Sequence, residues 1–155
     1  MSSDEGFLVE LLTALRQVKL EAVFVGGTAA VLQGAPVMTQ DVDLLVRDIR
    51  LNRKKLKDLC RVMHLAALDA SISADIFTLV GGAVPIDIIF GSLPGKLTFE
   101  AVRARASEIK IGGERAKTAS LDDIVRSKVA ANRPKDRAQL TVLRDTIRVK
   151  KKLSD

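Results

Sequence analysis

Two aspartates in an apolar strand set the tightest limit on what this chain can become. Thr39-Gln40-Asp41-Val42-Asp43-Leu44-Leu45-Val46 reads as a β run with carboxylates at i and i+2. Alternate strand residues share a face, so Asp41 and Asp43 point together while Val42 and Leu44 point the other way. Two like charges on one poorly solvated face repel each other and lose hydration. A divalent cation removes both problems, which makes metal binding the first reading. The plainer reading, a polar strand end capping a loop, explains one Asp better than two.

The stretch before it suits the same picture. Val23-Phe24-Val25-Gly26-Gly27-Thr28-Ala29-Ala30 is an apolar strand that stops at two glycines and becomes a short helix. Gly26 and Gly27 let the backbone approach a ligand closely. A helix beginning near Thr28 offers free N–H groups and a positive dipole end to a phosphate. Read plainly, the pair is only a strand–helix turn, and Thr28 only a helix cap. A phosphate cradle and a two-carboxylate strand, joined by one short helix, together describe a site for a metal–nucleoside triphosphate.

These residues resemble the signature of the DNA polymerase β-like nucleotidyltransferase superfamily. There a strand ends in Gly-Gly or Gly-Ser, a hydrophobic-flanked Asp-x-Asp/Glu follows, and a third carboxylate lies on a later strand. Asp87 in Val84-Pro85-Ile86-Asp87-Ile88-Ile89-Phe90 matches the third. Within the superfamily the chain is most similar to small bacterial and archaeal proteins related to the abortive-infection, type IV toxin–antitoxin nucleotidyltransferases. Those carry a Thr-x-Asp-Ile-Asp-Leu-Leu-Val pattern. They also carry a later helix resembling Ser120-Leu121-Asp122-Asp123-Ile124 through Lys128, Arg133, Lys135 and Asp136. The likeness runs from Val23 to Leu143. One position departs from it: relatives often have Arg two residues before the Thr, where this chain has Val37.

The resemblance implies roles. Asp41 and Asp43 would hold Mg²⁺ (or Mn²⁺), and Asp87 would help with the catalytic metal and take the proton from the attacking group. Gly26, Gly27, Thr28 and Thr39 would line the nucleotide, and Lys128 would sit near the triphosphate. Thr39 reads equally as a β-branched strand residue, and Lys128 as a solvated helix lysine. An Asp136–Arg133 or Asp136–Lys pair holding the helix junction is as good a reading as a substrate contact. Asp122 and Asp123 read as first-turn acids stabilised by the helix dipole. The implied activity is transfer of NMP from an NTP to a hydroxyl of a tRNA end, a protein side chain or a small molecule. The implied biology is a toxin held off by an antitoxin. A catalytically inactive nucleotide- or partner-binding module is the rival, favoured by Val37. A basic RNA-binding protein without chemistry is the third reading.

Composition narrows the setting. Hydrophobic residues make up 47% and charged ones 28%, the balance of a folded globular chain. No apolar run approaches the ~18 residues of a membrane span. The start, with Asp4 and Glu5, does not read as a signal peptide. A lone cysteine, Cys60, fits a cytoplasmic setting and reads as a core residue. With one His as well, His64, a Cys/His zinc site has too few ligands. Residues 1–100 hold 10 Lys and Arg against 12 Asp and Glu, whereas residues 101–155 hold 15 against 7. A basic C-terminal third suits a polyanionic partner such as RNA or nucleotide, or is simply a solvated face with a basic tail.

The expected fold is a single α/β (α+β) domain over 1–155, a mixed sheet flanked by helices. Its core covers about 20–118, and its C-terminal helices about 120–150. Residues 4–18 and 51–64 have helical period, the second with Leu51, Leu56, Leu59, Cys60 and Met63 inward. Ile76–Val80 and Val84–Phe90 read as a hairpin turning on Gly81-Gly82, and 91–95 as a loop. Glu108–Ile111 and Glu114–Lys117 read as a second hairpin on Gly112-Gly113. Ser120 caps a helix that ends near Asn132, and Pro134 opens a last helix to about Val149.

Overall fold

The apolar stripe Phe7, Leu11, Leu12 and Leu15 makes the first helix, α1 (Ser3–Val18), and all four side chains are buried. A computed structural model describes residues 3–68 and 75–154. The strand–glycine–helix unit follows as β1 (Val23–Val25) and α2 (Gly26–Leu32), then β2 (Val42–Val46). The amphipathic segment after it is α3 (Arg50–Met63), and His64 closes it in the left-handed conformation. A short edge strand, β3 (Ala66–Leu68), leads towards the hairpin β4 (Ile76–Val80) and β5 (Ile86–Phe90). A two-stranded ladder of β6 (Ser92–Leu93) and β7 (Leu97–Thr98) precedes α4 (Phe99–Arg105). The chain ends with the hairpin β8 (Ser107–Ile111) and β9 (Glu114–Thr118), then α5 (Leu121–Ala131) and α6 (Pro134–Ser154).

Seven strands form one mixed sheet in the order β3-β4-β5-β2-β1-β9-β8. The pairs β2·β5 and β1·β9 are parallel, and the other neighbours are antiparallel. The central strands are covered on both faces, so Leu44, Leu45, Val46, Ile86 and Ile88 are all fully buried. This is why β2 and β5 read as apolar runs rather than as alternations. Helix ends follow the caps read from the sequence: Ser120 Oγ accepts from the Asp123 N–H at 3.1 Å, and Asn132 ends α5 in the left-handed conformation.

Five expectations need correction. The β4–β5 connection spans 81–85, not the glycine pair alone, because Pro85 lacks an N–H for the ladder while its carbonyl accepts from the Val42 N–H. Residues 91–95 are not a plain loop, since Ser92 pairs with Thr98 and Leu93 with Leu97. Leu51 is exposed, and Asn52 takes the inward place through a 2.9 Å bond from Nδ2 to the Arg47 carbonyl. The short helix after the glycine pair starts at Gly26, two residues before Thr28. The last helix continues past Val149 to Ser154. Among the described residues, no helix is long and apolar enough to cross a membrane.

Candidate active site

The sheet register builds the site. Val25 on β1 pairs with Asp43 on β2, Asp43 with Asp87 on β5, and Asp87 with Thr78 on β4. One transverse row of the sheet therefore carries Val25, Asp43, Asp87 and Thr78. Asp41 lies just before β2, two residues from Asp43.

The electrostatics of this row are strained. Burial pushes the Asp43 carboxyl up to about 7, and the charges of Asp87 and Asp41 and a hydrogen bond with Asp87 push in the same direction. Lys135 opposes them. Thr78 Oγ1 donates to Asp87 Oδ1 at 2.6 Å and so orients that carboxylate. A carboxyl forced towards its neutral form by neighbouring carboxylates is the environment that a divalent cation relieves, so Asp41, Asp43 and Asp87 suit one chemically. Among the described residues, no group of three or more His, Cys, Asp or Glu already stands at metal-ligating spacing.

The glycine pair packs against these residues. Gly26 has φ +65°, and a side chain there would run into the Asp43 carboxylate. A Cβ on Gly27 would stand 2.8 Å from the Thr39 Cβ. Thr28 does not cap its helix: its Oγ1 donates to the Asp41 carbonyl at 2.9 Å, and Thr39 Oγ1 donates to the same carbonyl at 2.9 Å. Both threonines thus fix the backbone that presents Asp41. Thr39 lies in the loop before β2, not in the strand. The first turn of α2 has no side-chain cap, since Val25 occupies that position.

Lys128 is neither solvated nor free. Its ammonium lies 3.5 Å from Asp136, which is fully buried. Arg133 grips the same carboxylate, Nε at 2.7 Å and Nη2 at 3.2 Å. Burial would raise the Asp136 carboxyl, yet Arg133 and Lys128 hold it below its ordinary value. Lys128 and Asp136 therefore form the junction pair that the sequence left open. Asp123 is buried too and paired with Arg105 at 2.9 Å, a tertiary bond beyond the helix-dipole reading. His64 is an exposed helix end, and Cys60 is half-buried with its thiol pushed up by burial.

Thr78 was not singled out by sequence reasoning, although the hairpin was. A two-residue turn on Gly81-Gly82 would set Asp87 opposite Ile76; the longer connection sets it opposite Thr78.

Two surface hollows lie elsewhere. One of about 630 Å³ opens between α1 and the β8–β9 hairpin, but Arg16, Lys117 and Arg115 on its wall are each taken by a glutamate. The other, about 470 Å³, lies beside Phe7, Met63 and Gly81-Gly82. Neither includes the carboxylates of the candidate site.

No protein-family model matches the chain, and no curated protein resembles it closely enough in sequence to count as a relative. Solved structures do match in fold. ANT(2″)-Ia, in a crystal structure with adenylyl-2″-tobramycin, matches with TM-score 0.69 at 16% identity, over 97% of this chain and 92% of that one. The lincosamide antibiotic adenylyltransferase LnuA, lincomycin-bound, matches with TM-score 0.66 at 12% identity, over 94% and 98%. The putative nucleotidyltransferase TM1012 from Thermotoga maritima matches with TM-score 0.64 at 15% identity, over 91% and 93%. The fold is that of the nucleotidyltransferases. The expected mixed sheet with a C-terminal helix is therefore present, and in this nucleotidyltransferase fold the row of Asp43 and Asp87 occupies its central parallel pair, β2 and β5.

Proposed function

We propose that this protein is a metal-dependent nucleotidyltransferase, moving NMP from an NTP to a hydroxyl acceptor. The observation that carries this reading is the paired row of Asp43 and Asp87, with Asp41 beside it and Gly26 packed against the Asp43 carboxylate. Asp41, Asp43 and Asp87 would hold Mg²⁺ or Mn²⁺, which when bound supplies Lewis-acid stabilisation of the attacking and leaving oxygens. Gly26, Gly27 and the uncapped first turn of α2 would face the phosphates. The acceptor oxygen bonds to the α-phosphorus, the bond to the bridging oxygen of the β-phosphate breaks, and pyrophosphate leaves. The acceptor's proton passes to Asp87, whose carboxylate Thr78 holds in orientation.

Two observations bear on the acceptor class. The structural neighbours ANT(2″)-Ia and LnuA carry small antibiotic molecules, which favours a small hydroxyl compound. The 15 Lys and Arg against 7 acids in residues 101–155 favour a tRNA end. A protein side chain is the third class. The toxin role belongs to the same proposal, and growth arrest by the native chain but not by Asp43→Ala would support it.

The reaction is tested by pyrophosphate release from ATP, CTP, GTP and UTP in turn, with Mg²⁺ or with chelator, over pools of tRNA, lysate protein and antibiotics. Release that needs metal, one nucleotide and one acceptor pool supports the reading. A second reading, a nucleotide-binding module without catalysis, draws on Val37, which packs against the core and brings no cation to the loop before Thr39. It predicts metal-dependent nucleotide binding with no pyrophosphate released.

A further inference from the structure

The junction of α5 and α6 carries three cations, Lys128, Arg133 and Lys135, and the first two are already committed to Asp136. Asp136 engages Lys128 at 3.5 Å and Arg133 at 2.7 and 3.2 Å, and it also accepts from the Arg133 backbone N–H at 3.2 Å. Lys135 stands between Arg133 and Asp136 in sequence, is exposed, and makes no hydrogen bond or ion pair among the described residues.

The orientation of α6 places Lys135 at the site. Lys135 and Gln139 are one turn apart and share a helix face. Gln139 Nε2 donates to the Met38 carbonyl at 3.3 Å, so that face lies against the loop leading to Asp41. Thr39, the next residue, fixes the Asp41 carbonyl. The charge of Lys135 accordingly acts on Asp43, whereas the buried ammonium of Lys128 is spent within the junction.

We infer that Lys135, not Lys128, is the cation that holds the β- and γ-phosphates of the bound nucleoside triphosphate. This rests on the nucleotidyltransferase reading above. The charge balance supports it. Three carboxylates and two divalent ions leave about one positive charge against roughly four negative ones on a triphosphate. A lysine brings a point charge on a flexible stem, suited to phosphate oxygens that must leave as pyrophosphate.

The test is titration of each of the four NTPs, and of the corresponding NMPs, with Mg²⁺ and no acceptor. The proteins are the native chain, Lys135→Ala, Lys135→Arg, the distal control Lys150→Ala and an Asp41/Asp43 double alanine variant. Lys135→Ala should weaken NTP binding by about tenfold or more while leaving NMP binding within about twofold. Lys135→Arg should recover most of the loss, and Lys150→Ala should match the native chain. Melting temperatures of both Lys135 variants should stay close to the native value, since this exposed side chain makes no hydrogen bond or ion pair among the described residues. Lys135→Ala binding NTP as tightly as the native chain, or losing NTP and NMP equally, overturns the inference. If the native chain still needs Asp41 and Asp43 for NTP binding in that case, the functional reading stands and only Lys135 falls. If the native chain binds no NTP with metal, both fall together.

Discussion

Asp43 and Asp87 are register partners on the parallel strands β2 and β5, and burial with the charges of Asp87 and Asp41 pushes the Asp43 carboxyl up to about 7. A fold gains nothing in stability from such a pair. The arrangement makes sense when a cation sits between the carboxylates, and it has measurable consequences without one.

The first concerns pH. The Asp43 carboxyl rises from its ordinary 3.8 to about 7 in the folded chain, so folding favours its protonated form. The stability this contributes is full below pH ~4 and is lost as pH rises through about 7. Urea unfolding of the metal-free chain at pH 5 and pH 8 should show the native protein losing stability relative to Asp43→Asn. A saturating divalent cation should reverse that loss. Equal pH dependence of the two proteins would contradict this.

Asp43→Asn separates function from stability. Without metal at pH 8 the variant should be at least as stable as the native chain, because one like charge is gone from a buried row. Added Mg²⁺ should raise the melting temperature of the native chain and leave the variant's unchanged. Differential scanning calorimetry with and without the ion reads both effects.

Gly26→Ala should be damaging for two reasons. Its φ of +65° strains any side chain, and a methyl group there meets the Asp43 carboxylate. A loss of about 1–3 kcal/mol is expected from the backbone alone, together with loss of metal-induced stabilisation. Gly34→Ala is the control. Gly34 also has positive φ, at +91°, but opens onto free space. It should cost stability and leave the metal effect intact.

Removing Asp136 should unlock the junction. Asp136→Ala leaves the buried ammonium of Lys128 without its partner, a loss of about 3–5 kcal/mol by denaturant unfolding. Lys128→Met combined with Asp136→Leu should recover much of it, since no unpaired charge then remains. A double variant no better than Asp136→Ala would show that the pair does more than hold α5 to α6.

Thr78→Val tests the row's outer member. It removes the 2.6 Å bond to Asp87 without changing shape. Transfer should slow by about 3–10-fold, the equivalent of about 1 kcal/mol, with little change in nucleotide affinity.

Much of the candidate site was legible because its signals are local. Asp41 and Asp43 at i and i+2, and two glycines between an apolar strand and a helix, are patterns whose physics holds within a few residues. Asp87 was named through the resemblance, as the third carboxylate on a later strand. What was not legible depends on registers and faces that the sequence only bounds. Thr78 needed the length of the β4–β5 connection, and Pro85 lengthens it. The resemblance placed Lys128 and Lys135 in one helix junction, but only packing shows that Lys128 is buried against Asp136 while Lys135 is exposed. The strands β3, β6 and β7 have two or three residues each, too short to show a period, and β3 is exposed along its whole length.

The most direct measurement is transfer of α-labelled ATP, CTP, GTP and UTP, each with Mg²⁺ or Mn²⁺, to total tRNA, lysate protein and small hydroxyl compounds. The Asp41/Asp43 double alanine variant is run beside the native chain. The account predicts label on one acceptor class, from the native chain only and only with metal. Label transferred equally by the double variant would contradict it.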